Sequence, residues 1–134
     1  MSDLKSICDK LISSVDKIIS VSIIDLADGK TLSDSFAENQ KEEELRKNIS
    51  LSVMEILKSP SAKKVETHLS NQSDKEVKNS FKETFISSTN NFYFLKIVDE
   101  LDTAIFIITQ KTANQGLIWS ELKTVVPKIK QIIG

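Results

Sequence analysis

The sequence predicts one layered α+β domain, a five-stranded antiparallel sheet supported by helices in the order α-β-β-α-β-β-β-α. Three observations predict it. Apolar residues recur at helical spacing at both ends of the chain and again in its middle. Between those stretches they alternate at strand spacing in two separate blocks. The run Ala104-Ile105-Phe106-Ile107-Ile108 loses alternation altogether, which suits a central strand covered on both faces. Elements of this kind stack helix on sheet around a shared core, here a single domain over 1–134.

Taken in order, Leu4, Ile7, Leu11, Ile12, Val15 and Ile18 form one apolar stripe over residues 2–18, an amphipathic helix with Ser2 or Asp3 as its N-cap. The period then changes. Ile19, Val21 and Ile23 alternate with Ser20 and Ser22, which predicts a half-buried strand. Asp28-Gly29 lies between strand-like Ile23–Leu26 and Thr31–Phe36, the signature of a two-residue hairpin turn with positive φ at both central positions. Residues 40–58 read as a second helix, opened by Asn39 and by Glu42, Glu43 and Glu44, whose charges match the positive end of the helix dipole. Its second half is unusually apolar. Ile49, Leu51, Val53, Met54, Ile56 and Leu57 spread beyond the roughly 100° arc that one buried face requires, so a second covering surface is expected, a partner subunit.

Ser59-Pro60 stops that helix, and the polar residues 61–79 read as an insertion. Three strands in meander connection follow: Phe81–Ser88, a turn at Asn90-Asn91, Phe92–Val98, a short polar turn over Asp99–Asp102, and Thr103–Gln110. Ile118, Leu122, Val125, Ile129 and Ile132 mark a last helix from about Asn114. Pro127 within it predicts a kink or a break.

Composition narrows the function classes. A chain of 134 residues buries roughly two-thirds of its unfolded surface, enough for a core without staples. A formal net charge of −1 offers no basic footprint for nucleic acid. A lone cysteine, Cys8, and apolar runs far shorter than the ~20 residues of a membrane span point to a soluble cytoplasmic protein. The three glycines, Gly29, Gly116 and Gly134, are too scattered for a phosphate-binding loop. His68 is the single histidine and has no cysteine near it in sequence, so it seeds no metal site. Cys8 falls beside the first apolar stripe, where a cysteine behaves as a small hydrophobe. Glu42, Glu43 and Glu44 fan out around a helix and do not converge as catalytic acids would. Neither a catalytic residue, a metal ligand nor a cofactor site is predicted. Charge is uneven all the same: seven acids stand against Lys30 and Lys41 over residues 25–44, while six lysines stand against three acids over 58–82.

The element order, together with Tyr93-Phe94-Leu95-Lys96-Ile97 and the run from Thr109 through Ala113-Asn114-Gln115-Gly116 to Ile118, resembles the Roadblock family of dynein light-chain relatives. The hairpin around Asp28-Gly29 is similar to the family's first hairpin, and the likeness spans nearly the whole chain. Residues 61–79 and Pro127 depart from the compact pattern. The resemblance implies a regulator or scaffold of small Ras-like GTPases or of motors. It also implies a dimer, homotypic or with a Roadblock paralogue, that pairs the middle strand and packs the second helices across a two-fold axis. The dimer contact then falls to Ile49, Val53, Met54, Phe81, Thr84, Phe85 and Ile86, because an edge strand with exposed Phe81, Phe85 and Ile86 is a liability until paired. The GTPase contact falls to Glu43, Arg46, Lys47 and Ser50 on the polar side of the second helix. Two rivals share the fold class. One is a small-ligand sensor of PAS or GAF type, with Phe92, Tyr93, Phe94 and Phe106 lining a cavity. The other is a longin-like trafficking subunit, from the wider set of Roadblock, longin and profilin-like folds.

Overall fold

A computed structural model describes residues 3–38, 40–57, 82–98 and 101–134. The elements run α1 (Leu4–Ser14), β1 (Ile18–Asp25), β2 (Thr31–Phe36), α2 (Glu42–Leu57), β3 (Glu83–Ser87), β4 (Asn91–Val98), β5 (Thr103–Gln110) and α3 (Gln115–Ile133). The strands form one antiparallel sheet in the spatial order β2-β1-β5-β4-β3. This is the order of elements and the sheet that the sequence predicts. The insertion at 61–79 with His68, and Phe81, lie outside the described residues.

Asp3 caps α1 by accepting a hydrogen bond from the Ser6 amide at 2.8 Å, and that bond holds its carboxyl below the usual range. The helix is shorter than its apolar stripe. Val15 is already extended at φ −118°, and Lys17, in the left-handed region at φ 76°, turns the chain into β1. Val15 and Ile18 still reach the core, so the stripe is continuous in space although the helix is not.

The first hairpin also differs from its expectation. Among non-glycine residues only Lys17 and Asp102 have positive φ in the described chain, so Asp28 does not, and Asp-Gly makes no two-residue turn. The link is a longer loop instead. The Asp25 amide donates to the Lys30 carbonyl and the Gly29 amide to the Asp25 carbonyl, each at 2.8 Å. The carboxylates of Asp25 and Asp28 accept from the amides two residues on. Gly29, at φ +75°, is needed for its backbone and for space: a Cβ there would stand 3.2 Å from Met54 Cγ on α2.

Each sheet face has its own core. Val21, Ile23, Phe92, Phe94, Ile105 and Ile107 pack beneath Ile7, Cys8 and Leu11 of α1 and Ile118, Leu122, Val125 and Ile129 of α3. Ile24, Leu95, Ile97, Ala104, Phe106 and Ile108 pack with Ile49 and Val53 of α2. The central strand β5 is buried from Thr103 to Thr109. Strand β1 is covered on both sides as well, so Ser20 and Ser22 are buried, where sequence alternation predicts exposure. The second cover is α2. Helix α3 runs unbroken through Pro127: the missing amide lies on its exposed side, while Val125 and Ile129 hold the helix to the sheet on either side of it.

Candidate partner-binding faces

Helix α2 divides into strips of residues four apart, and each strip meets a different environment. Leu45, Ile49 and Val53 face the sheet, with Ile49 and Val53 fully within the core. Arg46, Ser50 and Met54 face β2. The Arg46 guanidinium grips Asp34 in a bidentate ion pair through Nε and Nη2, the latter at 3.0 Å, and lies over the Phe36 ring at 5.6 Å. The carboxylate raises the guanidinium's already high pKa. The Ser50 and Thr31 hydroxyls share a hydrogen bond of 3.0 Å, and Met54 lies against the Gly29 turn. Glu43, Lys47 and Leu51 point outward and are exposed, Leu51 to 55%. Glu44, Asn48 and Ser52 complete the turn of the helix and are exposed too.

These contacts redistribute the residues named from the sequence. Ile49 and Val53, expected between subunits, are buried against this chain's own sheet, because α2 needs them to cover β1 and β5. Arg46 and Ser50, expected on the GTPase-facing side, clamp α2 to β2. Glu43 and Lys47 remain open, as does Leu51, one of the apolar residues of this helix that the sequence does not assign to the subunit contact.

Beside α2 runs a groove of about 570 Å³. Tyr93, Phe106 and Ile108 form its floor, and Tyr93 stacks on Phe106 with centroids 6.1 Å apart. Leu45, Asn48, Ile49 and Ser52 wall it on the helix side, with Ile86 of β3 opposite. Strand alternation places Phe92 and Phe94 on the other face of the sheet, so the four aromatics of the sensor reading do not line one cavity.

The two sheet edges differ. At β2 the Lys5 Nζ caps the Asp34 carbonyl at 2.6 Å and donates to Ser35 Oγ, and the Ser35 hydroxyl donates to Asp9. That donation, followed by Lys5, lowers the Asp9 pKa. A lysine on an edge carbonyl is a common guard against unwanted strand pairing. At β3, which pairs only with β4 among the described residues, Phe85 and Ile86 are 39% and 37% exposed on opposite faces. Thr84 between them and Glu83 is half-buried, and Glu83 bridges to Lys96 of β4 at 3.1 Å.

No family model and no curated protein matches the sequence. Solved structures do match. The Roadblock/LC7 domain from Streptomyces avermitilis superposes with a TM-score of 0.69 at 11% identity, covering 97% of both chains. Myxococcus xanthus MglB gives 0.70 at 15% identity, covering 96% of this chain and 92% of its own. A structure described as MglB with tetrameric arrangement gives 0.75 at 11% identity, covering 99% and 93%. The chain has the Roadblock/LC7 fold. Identity this low speaks for the Roadblock architecture alone, and the faces described above rest on this chain's own side chains. Among the described residues no helix is long and apolar enough to cross a membrane.

Proposed function

We propose that this chain is a non-catalytic, cytoplasmic protein-binding module. It pairs with a second Roadblock-type chain, its own copy in the simplest case, and the pair regulates or scaffolds a small Ras-like GTPase. The observation that carries the reading is the contrast between a guarded β2 edge and a β3 edge that exposes Phe85 and Ile86. Antiparallel pairing of two β3 strands about a two-fold axis satisfies both edges at once. The same operation sets the two α2 helices side by side, where Leu51 of each copy can enter the groove of the other. A contact on the order of 1,600 Å² in total is expected.

The GTPase is supported by the Roadblock likeness and by the open strip of Glu43 and Lys47 on α2. Any effect on hydrolysis, on this reading, works by reshaping the GTPase's own switch loops. A motor complex would use the same face. Light scattering at tens of micromolar tests the dimer, which a monomeric mass would rule out. Calorimetry of a Ras-like GTPase in its two nucleotide states tests the partner. Equal affinity for both states would reject regulation, because such a ligand shifts no equilibrium. Charge reversal at Glu43 and Lys47 together should weaken this contact without disturbing the fold. Arg46 is left intact in that variant because it holds Asp34.

A further inference from the structure

On the α1 and α3 side of the sheet, the helices among the described residues cover the sheet only as far as β4. Helix α1 packs on β1 and β2, and α3 packs on β4. Among the described residues no helix lies over β3, and the surface left there is aromatic. Phe85 of β3 stands 5.2 Å between ring centroids from both Phe92 and Phe94 of β4, and Phe94 meets Trp119 of α3 edge-on at 5.3 Å. Phe92 and Phe94 are buried, while Phe85 stays exposed and Trp119 half-buried.

The rim of this shelf is basic. Trp119, Lys123, Val126 and Lys130 recur at helical spacing on the side of α3 that the Phe94–Trp119 contact turns toward β4. Lys123 is exposed, and Lys130 is half-buried near the end of the helix. Lys111 stands over the Phe92 ring at 5.8 Å. Glu83, the acid on the far side, is held by Lys96.

We propose that this shelf binds an acidic amphipathic helix of a partner protein. The helix lies beside α3, with its apolar side on Phe85 and Trp119 and its carboxylates toward Lys111, Lys123 and Lys130. Packed helices lie about 8–10 Å apart and strands about 4.8 Å apart, so a helix beside α3 falls over β3 and its outer edge. Charge selects the occupant. A second copy would bring the same lysines to the shelf and place like charges together, whereas an acidic helix neutralises them. The shelf is on the sheet face opposite α2, and its rings stand on the face of β3, so pairing of β3 edges leaves it open.

Trp119 is the only tryptophan in the chain, so its emission reports occupancy directly. The full chain is titrated with a synthetic amphipathic helix of about 18 residues, long enough to fold on a surface, with leucines on one side and glutamates flanking them. A second peptide carries lysines in place of the glutamates. The glutamate peptide should shift the emission to the blue and bind roughly tenfold more tightly than the lysine peptide. In the variant Lys111→Glu with Lys123→Glu the preference should reverse, with thermal unfolding lowered by only a few degrees, because both lysines are exposed and only the contact of Lys111 with Phe92 is lost. No emission change, equal binding of the two peptides, or a preference that survives the double variant would overturn the proposal. A blue shift that follows protein concentration without peptide would give the shelf to a second copy. A shift with phosphatidylserine vesicles but not with the glutamate peptide would give it to a membrane. Either of these results also overturns the proposal.

Discussion

Replacing Leu51 by alanine separates assembly from folding on a single helix. Leu51 is 55% exposed in the isolated chain, whereas Ile49, two residues earlier, is 3% exposed. Fully burying a leucine side chain is worth about 1.5–3 kcal/mol, so covering the exposed part of Leu51 contributes about 1–1.5 kcal/mol. A two-fold dimer makes the contact twice, for about 2–3 kcal/mol in total. Leu51→Ala should therefore weaken dimerisation by roughly 30- to 150-fold. The unfolding midpoint of the chain, measured well below the dissociation constant, should hardly move. Ile49→Ala should behave in the opposite way. It removes buried methylenes from the core against Phe106 and Ile108 and should cost about 2–5 kcal/mol of fold stability. Analytical ultracentrifugation gives the dissociation constant and urea unfolding gives the stability. If Leu51→Ala leaves dimerisation within twofold of wild type, or lowers monomer stability as much as Ile49→Ala does, Leu51 is not part of the subunit contact.

Three further outcomes follow from contacts within the chain. Asp34→Asn removes the carboxylate that Arg46 grips; because the Arg46 side chain is 39% exposed and partly screened, the loss in urea unfolding should be about 1–3 kcal/mol, and a change below a few tenths would deny the clamp between α2 and β2. Burial pushes the Cys8 thiol up to about 12 from an ordinary value of 9.0, so the folded state keeps its proton where the unfolded state loses it. Its contribution to stability is present below pH 9 and is lost as pH rises from about 9 toward 12, at about 1.4 kcal/mol per pH unit, a slope that should be missing in Cys8→Ala. Ser35→Ala should return the Asp9 carboxyl toward its ordinary value in a carbon-13 NMR titration, since the Ser35 hydroxyl is the main cause of its lowered pKa.

The element order, the central place of β5 and the exposure of Phe85 and Ile86 were legible in the sequence because each depends on a local pattern. Loss of alternation over Ala104–Ile108 reports cover on both faces wherever the strand sits. Two aromatic or aliphatic neighbours on a short strand must present one side chain to each face. The end of α1 was not legible. Val15 and Ile18 continue the apolar stripe of the helix while lying outside it, since both face the same core from a turn and a strand. The Asp28-Gly29 pair misled for a related reason: the dipeptide suits a tight hairpin, but here the carboxylates of Asp25 and Asp28 hold a longer loop that only Gly29 needs positive φ to close.

The faces of α2 pose a harder problem, and it bears on function. A period of 3.6 shows that apolar and polar strips exist, but not which strip meets the chain's own sheet and which remains outside. That depends on where β2 lies. Its Asp34, twelve residues before Arg46, grips the guanidinium, and the strip of Arg46, Ser50 and Met54 lies over Phe36, Thr31 and Gly29. Ile49 and Val53 then fall on the core, and Leu51 is carried outward. The ion pair between strand and helix and the burial of Ile49 and Val53 thus agree on one orientation of the helix, and with it on the residues offered to a partner. Hydrophobic periodicity carries no information about such a pair. The unpaired sign of Asp34, an acid within a strand otherwise made of Thr31, Leu32, Ser33, Ser35 and Phe36, is the one trace of it in the sequence. A buried acid on a strand calls for a cation, and Arg46, the chain's only arginine, is the residue suited to a bidentate grip.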